Sequence, residues 1–110
     1  MTIHLSDKKC VACEGGVPPL TSEQIRVYSS QVKDWKIAEN KKSISKEFLF
    51  KNFKEALAFV NAVGKIAEEE GHHPDINLHG YKNVLITLST HAIGGLSEND
   101  FIVAAKIHLI

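Results

Sequence analysis

Cysteine is scarce in this chain, which contains two in 110 residues, and the scarcity argues against a disulfide-rich scaffold. The two residues, Cys10 and Cys13, form a lone C-x-x-C pair. A structural zinc site takes about four ligands. A thioredoxin-type pair opens a helix, whereas glycines and prolines follow this one. We predict that the pair belongs to a plain N-terminal loop, with metal binding or a redox role as the alternatives.

An excess of charge of either sign is also missing. The chain has 13 Lys and Arg against 13 Asp and Glu, so its formal net charge is zero. Direct binding to nucleic acid usually requires a basic face. The lysine pairs at 8–9 and 41–42 are too short to form one. The composition therefore predicts no direct nucleic-acid partner.

Long hydrophobic runs are absent as well. Runs such as Phe101 to Ala105 are far too short to span a bilayer, which takes about 20 apolar residues. The first residues contain no apolar stretch of the kind that a secretory signal needs. The sequence therefore predicts a cytoplasmic protein that does not enter the membrane.

The chain does have enough apolar residues for one core, since 44% of it is hydrophobic. Its length indicates a single domain, and no linker, internal repeat or low-complexity segment divides it. We predict that residues 1–19 form an irregular N-terminal arm. Residues 20–110 are predicted to form one domain.

Two helices are predicted from their caps and their apolar periodicity. Thr21 begins a capping box ahead of an amphipathic segment over 22–32. Asn52 is a good N-cap for a broad apolar stripe over about 53–70, and Gly71 is well placed to end it.

A third helix follows Ser97, with Asp100 in the position that reaches back to the cap. It is apolar on all sides, whereas a surface helix should have a polar face. In a chain this small, we expect a second subunit to cover it, which predicts an oligomer.

Alternating patterns predict four strands. Residues 35–50 are typical of a β-hairpin, with a polar turn near 39–42. A short strand is expected at 75–79 and another over 84–89, where apolar and polar residues alternate. The fold class is then α+β, in the order α-β-β-α-β-β-α. Its four-stranded antiparallel sheet has three helices packed on one face.

Histidine is concentrated where the long helix is expected to end. Four of the six histidines stand at 72, 73, 79 and 91. The glutamates at 68–70 oppose the helix dipole at a C-terminus, and such broken local rules tend to mark functional sites. Pro74 biases His73 toward extended backbone. Imidazoles serve as acids or bases near neutral pH.

Each of these residues also has a simpler explanation. Exposed glutamates often do no more than solubilise a helix end, and a single histidine is usually structural. Asp100 can complete a capping box and still act in a site. The histidine doublet with a third histidine at a strand end nevertheless favours a functional cluster.

The same residues resemble the signature of the pterin-4a-carbinolamine dehydratase family. The signature consists, in order, of Glu68, His72-His73-Pro74, Tyr81, His91 and Asp100. The stretch 81–91, in which Thr90 precedes the third histidine, and the stretch 95–100 are also similar to the family. The resemblance covers roughly residues 18–110 and leaves the cysteine pair and His79 without a role.

The resemblance implies the fold predicted above and assembly as a homodimer or homotetramer. It implies that His72, His73 and His91 are the catalytic residues. The predicted substrate-binding or orienting residues are Glu68, Pro74, Thr90, Asp100 and, by correspondence with a tryptophan near the pterin pocket, Trp35.

The implied reaction is acid–base dehydration of 4a-hydroxytetrahydropterin to quinonoid dihydropterin and water. It needs no metal or other cofactor, and it would recycle the tetrahydropterin of an aromatic amino acid hydroxylase system. Imidazoles suit this chemistry. One of His72 and His91 would be the acid, and His73 would be the base or would position the ring.

Two other functions are compatible with the residues. The apolar last helix could bind another protein, because vertebrate members of the family also bind the dimerisation helices of a transcription factor. The histidines and a carboxylate could instead ligate zinc or iron. Adjacent histidines, however, lack the i, i+4 geometry of a helical metal site.

Overall fold

The described part of the chain contains three helices and one four-stranded sheet, as predicted. A computed structural model describes residues 4–11 and 18–110. The elements are α1 (Ser22–Ser29), β1 (Lys36–Ile37), β2 (Ile44–Leu49), α2 (Phe53–Glu70), β3 (Asp75–His79), β4 (Asn83–Leu88) and α3 (Glu98–His108). Short 3₁₀ turns occur at Leu5–Asp7 and His91–Ile93. The predicted α+β class and element order are confirmed.

The sheet is antiparallel throughout, with the strand order β1-β2-β4-β3. The central strand β4 alternates as its sequence predicts: Val84, Ile86 and Leu88 are fully buried, and the residues between them are less so. Ile86 pairs with Ile76 of β3 on the same face. This apolar face lies under the helices, and the pairing brings the ends of β3 and β4 together.

Local signals set the helix ends. The Thr21 hydroxyl accepts the N–H of Gln24, and Asn52 Oδ1 accepts the N–H of Glu55 at 2.9 Å. Gly71 ends α2 in the left-handed conformation with φ 64°, which glycine adopts without steric cost.

The first helix is shorter than predicted. It stops at Ser29 rather than near residue 32, because the chain tightens into turns. Val32 N–H donates to Ser29 O, and Trp35 N–H donates to Val32 O. Both side chains remain buried, so the apolar spacing that suggested a longer helix reflects core packing in turns. No helix in the described ranges is long and apolar enough to cross a membrane.

The apolar helix α3 is covered by its own chain. Residues 101–105 and Ile107 are all buried, and α3 contacts α1, α2 and the 3₁₀ turn at Leu5–Asp7. A second subunit is therefore not needed to explain its composition. The sequence argument that derived an oligomer from this helix does not hold, and homo-oligomerisation stays a prediction from the family resemblance.

The described part of the N-terminal arm, residues 4–11, packs against this helix. Leu5 is buried in the core, and its N–H donates to Gln31 Oε1 at 2.9 Å. Lys8 Nζ lies 2.8 Å from Glu98 Oε2, which also accepts from the Tyr28 hydroxyl. Side-chain and backbone contacts thus hold the arm. Cys13 lies outside the described residues, so the prediction for it stays a prediction.

Glu70, the last residue of α2, holds the arm at Cys10. Its Oε1 accepts the N–H of Cys10 at 2.9 Å, and its Oε2 lies 2.7 Å from Lys106 Nζ. Burial alone would raise the pKa of the Glu70 carboxyl. The hydrogen bonds from Lys106 and from the Cys10 N–H outweigh it, so the pKa lies below its usual range.

The lowered pKa of Glu70 predicts that acid weakens the fold. A carboxyl whose pKa is depressed on folding stabilises the protein above its unfolded pKa, about 4.3, and this contribution is lost as the pH falls through the folded value. Glu70→Gln should lower the free energy of unfolding by about 1–3 kcal/mol at pH 7, and by less near pH 3. Urea titrations at both pH values measure this.

Glu69→Gln is the matched control, because Glu69 is an exposed neighbour of the same type. Its effect should be small at both pH values. Equal losses for the two variants at pH 7 would contradict the anchoring role of Glu70.

Candidate active site

The end of α2 directs His72 into the interior. After the left-handed Gly71, the His72 N–H donates to Ala67 O at 3.2 Å, which closes the last turn of the helix. The imidazole then meets the start of α3, where its Nε2 lies 2.6 Å from Asp100 Oδ1. The His72 side chain is only 11% exposed, and that of Asp100 is fully buried. This is the tightest polar contact of the cluster.

Asp100 is satisfied on both oxygens. Its Oδ2 accepts from Thr90 Oγ1 at 2.8 Å and from the Ser97 N–H at 3.0 Å. The Ser97 N–H bond is one half of the predicted capping box. A carboxylate can only accept hydrogen bonds, so beside an ionised Asp100 the His72 Nε2 carries a proton. The atom of His72 left to exchange protons with a ligand is then Nδ1.

His73 is arranged more loosely. Its Nε2 lies 3.3 Å from Glu68 Oε2, with 61% of the histidine side chain and 81% of the glutamate side chain exposed. Pro74 follows and leads into β3. An exposed contact of this kind adds little stability, but it can orient the His73 ring beside the pocket.

His91 reaches the same region from the other side. It opens the 3₁₀ turn that follows β4, and Gly94 closes that turn in the left-handed conformation with φ 67°. Thr90 and Gly95 form a bridge that holds the two ends of the loop together. This bridge fixes the two ends of the loop next to the end of β4.

The three predicted histidines line one pocket of about 270 Å³. Its other lining residues are Val11, Gly71, Ser89, Thr90, Ala92 and Asn99. Glu68 and Asp100 each contact one of these histidines. The structure thus brings together seven of the eight predicted site residues, counting Pro74 as the direct neighbour of His73. Their catalytic and binding roles remain predictions.

Trp35 lies apart from this group. It is buried against Phe48, with ring centroids 6.2 Å apart, and it borders a different depression beside His108. Its Nε1 has no hydrogen-bond partner among the described residues. Within one chain, Trp35 is a core residue, and its predicted place near the pterin pocket has no support from this geometry.

Two residues at the site, Asn99 and Val11, were not singled out by the sequence patterns, and Glu70 was noted only as one of three glutamates at the end of α2. Asn99 is buried and pairs with the backbone of Val11, and Val11 itself lines the pocket. Glu70 looked like a solubilising glutamate but anchors the arm. Cys10 lies 60 positions from Glu70, and Val11 lies 88 positions from Asn99. In the sequence, only the placement of Asn99 next to Asp100 and of Glu70 near Glu68 hinted at a role.

The metal and redox alternatives depend on clustered ligands and on a reactive thiol. Among residues 4–11 and 18–110, no three His, Cys, Asp or Glu side chains are arranged to hold a metal ion. Burial and the negative charge of Glu70 raise the pKa of the Cys10 thiol to about 12. The thiolate is the reactive and metal-binding form, so Cys10 is a poor nucleophile in this setting.

The sequence matches a known family over most of its length. A family model described as pterin 4 alpha carbinolamine dehydratase matches residues 18–110. A relative from Alkaliphilus metalliredigens is 51% identical over 105 residues, which are 94% of this chain and 93% of that protein. One from Nitrosomonas eutropha is 49% identical over 107 residues, or 96% and 92% of the two chains. Both are named "Putative pterin-4-alpha-carbinolamine dehydratase".

Solved structures agree with this match. The crystal structure of a transcriptional coactivator/pterin dehydratase from Brucella melitensis superposes with a TM-score of 0.77 at 28% identity, covering 83% of this chain and 96% of that one. A pterin dehydratase-like protein identified as a RuBisCO assembly factor in the alpha-carboxysome gives a TM-score of 0.59 at 28% identity, covering 69% and 87%. The chain belongs to the pterin-4a-carbinolamine dehydratase family.

Proposed function

We propose that the protein is a 4a-hydroxytetrahydropterin dehydratase that works by acid–base catalysis with its own histidines. The observation that carries the proposal is the convergence of His72, His73 and His91 on one pocket, with a buried carboxylate fixing one of them. The substrate would come from an aromatic amino acid hydroxylase reaction, and the protein would act in the cytoplasm.

The reaction breaks one C–O bond and forms one C=N bond. The substrate carries a hydroxyl on a ring carbon beside a ring nitrogen, whose lone pair can displace it. Hydroxide is a poor leaving group, so an acid must protonate the oxygen and release water. A base must also take a ring N–H proton to leave the neutral quinonoid product. Groups with a pKa near the working pH perform both steps best.

His72 is the acid in this proposal. As an imidazolium it donates the Nδ1 proton to the leaving hydroxyl, while Nε2–H stays bonded to Asp100. The buried carboxylate fixes the ring and stabilises its positive charge, as the carboxylate does for the histidine of a Ser-His-Asp triad. His91, on the opposite loop, is the second donor to the hydroxyl.

His73 is the base. Its Nε2–H faces the Glu68 carboxylate, which can only accept a hydrogen bond, so Nδ1 is the atom that takes a ring proton. Because the side chain is exposed, His73 can then pass that proton to solvent. Two adjacent histidines of the pocket thereby handle the two protons of the reaction, one as the acid and one as the base.

Replacing these histidines should slow dehydration. His72→Ala, His73→Ala and His91→Ala should each lower kcat, by about 10²- to 10⁴-fold for a group that transfers a proton in the transition state. A stopped assay of 4a-hydroxytetrahydropterin loss, corrected for the buffer-only rate, measures this.

His79→Ala is the matched control. His79 is exposed on the sheet, pairs with Glu47 and lies outside the pocket, so its loss should leave the rate unchanged. If all three pocket variants stay within about threefold of the parent, far below the range for acid–base groups, the proposed roles are wrong.

The carboxylate that orients His72 can be tested by itself. Asp100→Asn keeps the size but cannot accept hydrogen bonds on both sides, so it should lower kcat about 10- to 100-fold, as the loss of an orienting partner does. Asp34→Asn, on an exposed side chain, serves as the control. If a folded Asp100→Asn variant has the kcat of the parent, Asp100 does not have the proposed orienting role.

A protein-binding role is the alternative that the structural neighbours suggest, because one is called a transcriptional coactivator and another an assembly factor. The surface first considered for it, the apolar face of α3, is buried in this chain. The dehydration assay distinguishes the two functions, because a protein that only binds partners would not accelerate loss of the substrate above the buffer-only rate.

A further inference from the structure

The described part of the N-terminal arm ends at the histidine pocket. Val11 lines that pocket with the three histidines, and 73% of its surface is exposed. A side chain so exposed adds little to the core, so core packing does not explain why Val11 lies at the pocket. The family match begins at residue 18 and assigns no role to this segment.

Asn99 holds Val11 in place with two opposed hydrogen bonds. Its Nδ2 donates to Val11 O at 2.7 Å, and its Oδ1 accepts the Val11 N–H at 3.1 Å. Together they fix both the position and the direction of the backbone, as a neighbouring strand does. Asn99 is itself buried and directly precedes Asp100. The same turn of α3 therefore sets the position of His72 and of Val11.

The arm is also held one residue earlier. The Cys10 N–H donates to Glu70, which is paired with Lys106 of α3, and Cys10 Sγ lies 3.7 Å from Asn99 O. Successive residues of the arm thus contact the two helices that support His72.

We propose that the arm at residues 10–11 forms a wall of the pterin pocket, that Val11 makes an apolar contact with the bound ring, and that Asn99 is the positioning residue. This inference rests on the proposed dehydratase function. The remaining polar lining includes three imidazoles and the Ser89 hydroxyl, groups that can hydrogen-bond the edge of a planar heterocycle. Val11 supplies the apolar surface that packs on its face. Having no proton to exchange, Val11 contributes to binding and not to the chemical step.

The kinetic signature is a change in KM without a change in kcat. Val11→Ala removes two methyl groups from the contact and should raise KM about three- to tenfold, with kcat within about twofold of the parent. Val27→Ala is the matched control, since Val27 is 66% exposed on α1 and away from the pocket. The Kd of a stable reduced pterin, 7,8-dihydrobiopterin, followed by fluorescence, should change in parallel with KM.

A double-mutant cycle tests the positioning role. Asn99→Ala should also raise KM, and Val11→Ala in that background should add less than about twofold, because the arm is no longer held. Additive effects, or a Val11→Ala variant with the KM and Kd of the parent, would overturn the inference while leaving the dehydratase proposal intact.

A different set of results would contradict the proposed dehydratase function. A parent protein that binds the reduced pterin without turnover contradicts the dehydratase proposal. The Kd values of the same variants then decide the role of the arm. A parent that neither turns over nor binds the pterin contradicts both.

Discussion

The buried carboxylate of Asp100 is the constraint around which the site is arranged. A charge removed from water is costly unless every lone pair is matched by a donor. Here the donors come from three places: Thr90 after β4, the Ser97 backbone before α3, and His72 after α2. Satisfying one carboxylate therefore brings three chain segments to a single point, and the pocket forms where they meet.

Most of the framework could be predicted from local sequence. The cap at Asn52 and the glycine at 71 gave both ends of α2, and the alternation of Val84, Ile86 and Leu88 identified the buried face of β4. These signals are local because caps and strand faces depend on near neighbours. The first helix was predicted too long, since Val32 has helical spacing but is buried from a turn.

Long-range contacts were harder to predict. The composition of α3 indicated burial but not what covers it, and within one chain the cover comes from the arm and the other helices. The histidine cluster was predicted from its signature, whereas the pairing of Asn99 with Val11 joins residues 88 positions apart. Nothing in the local pattern distinguishes such an asparagine from an ordinary residue near a helix start. Trp35 shows a different case, because the family resemblance suggested a place near the pterin pocket, whereas within one chain its side chain packs against the core; its predicted role stays a prediction.

The central claim is that Asp100 holds His72 so that Nδ1 faces the substrate. The most direct test is the tautomer of His72 in ¹⁵N-labelled protein, read from long-range ¹H–¹⁵N correlations at a pH where the ring is neutral. The account predicts a proton on Nε2 and none on Nδ1, with the pattern lost in Asp100→Asn. A neutral His72 with its proton on Nδ1 would contradict it.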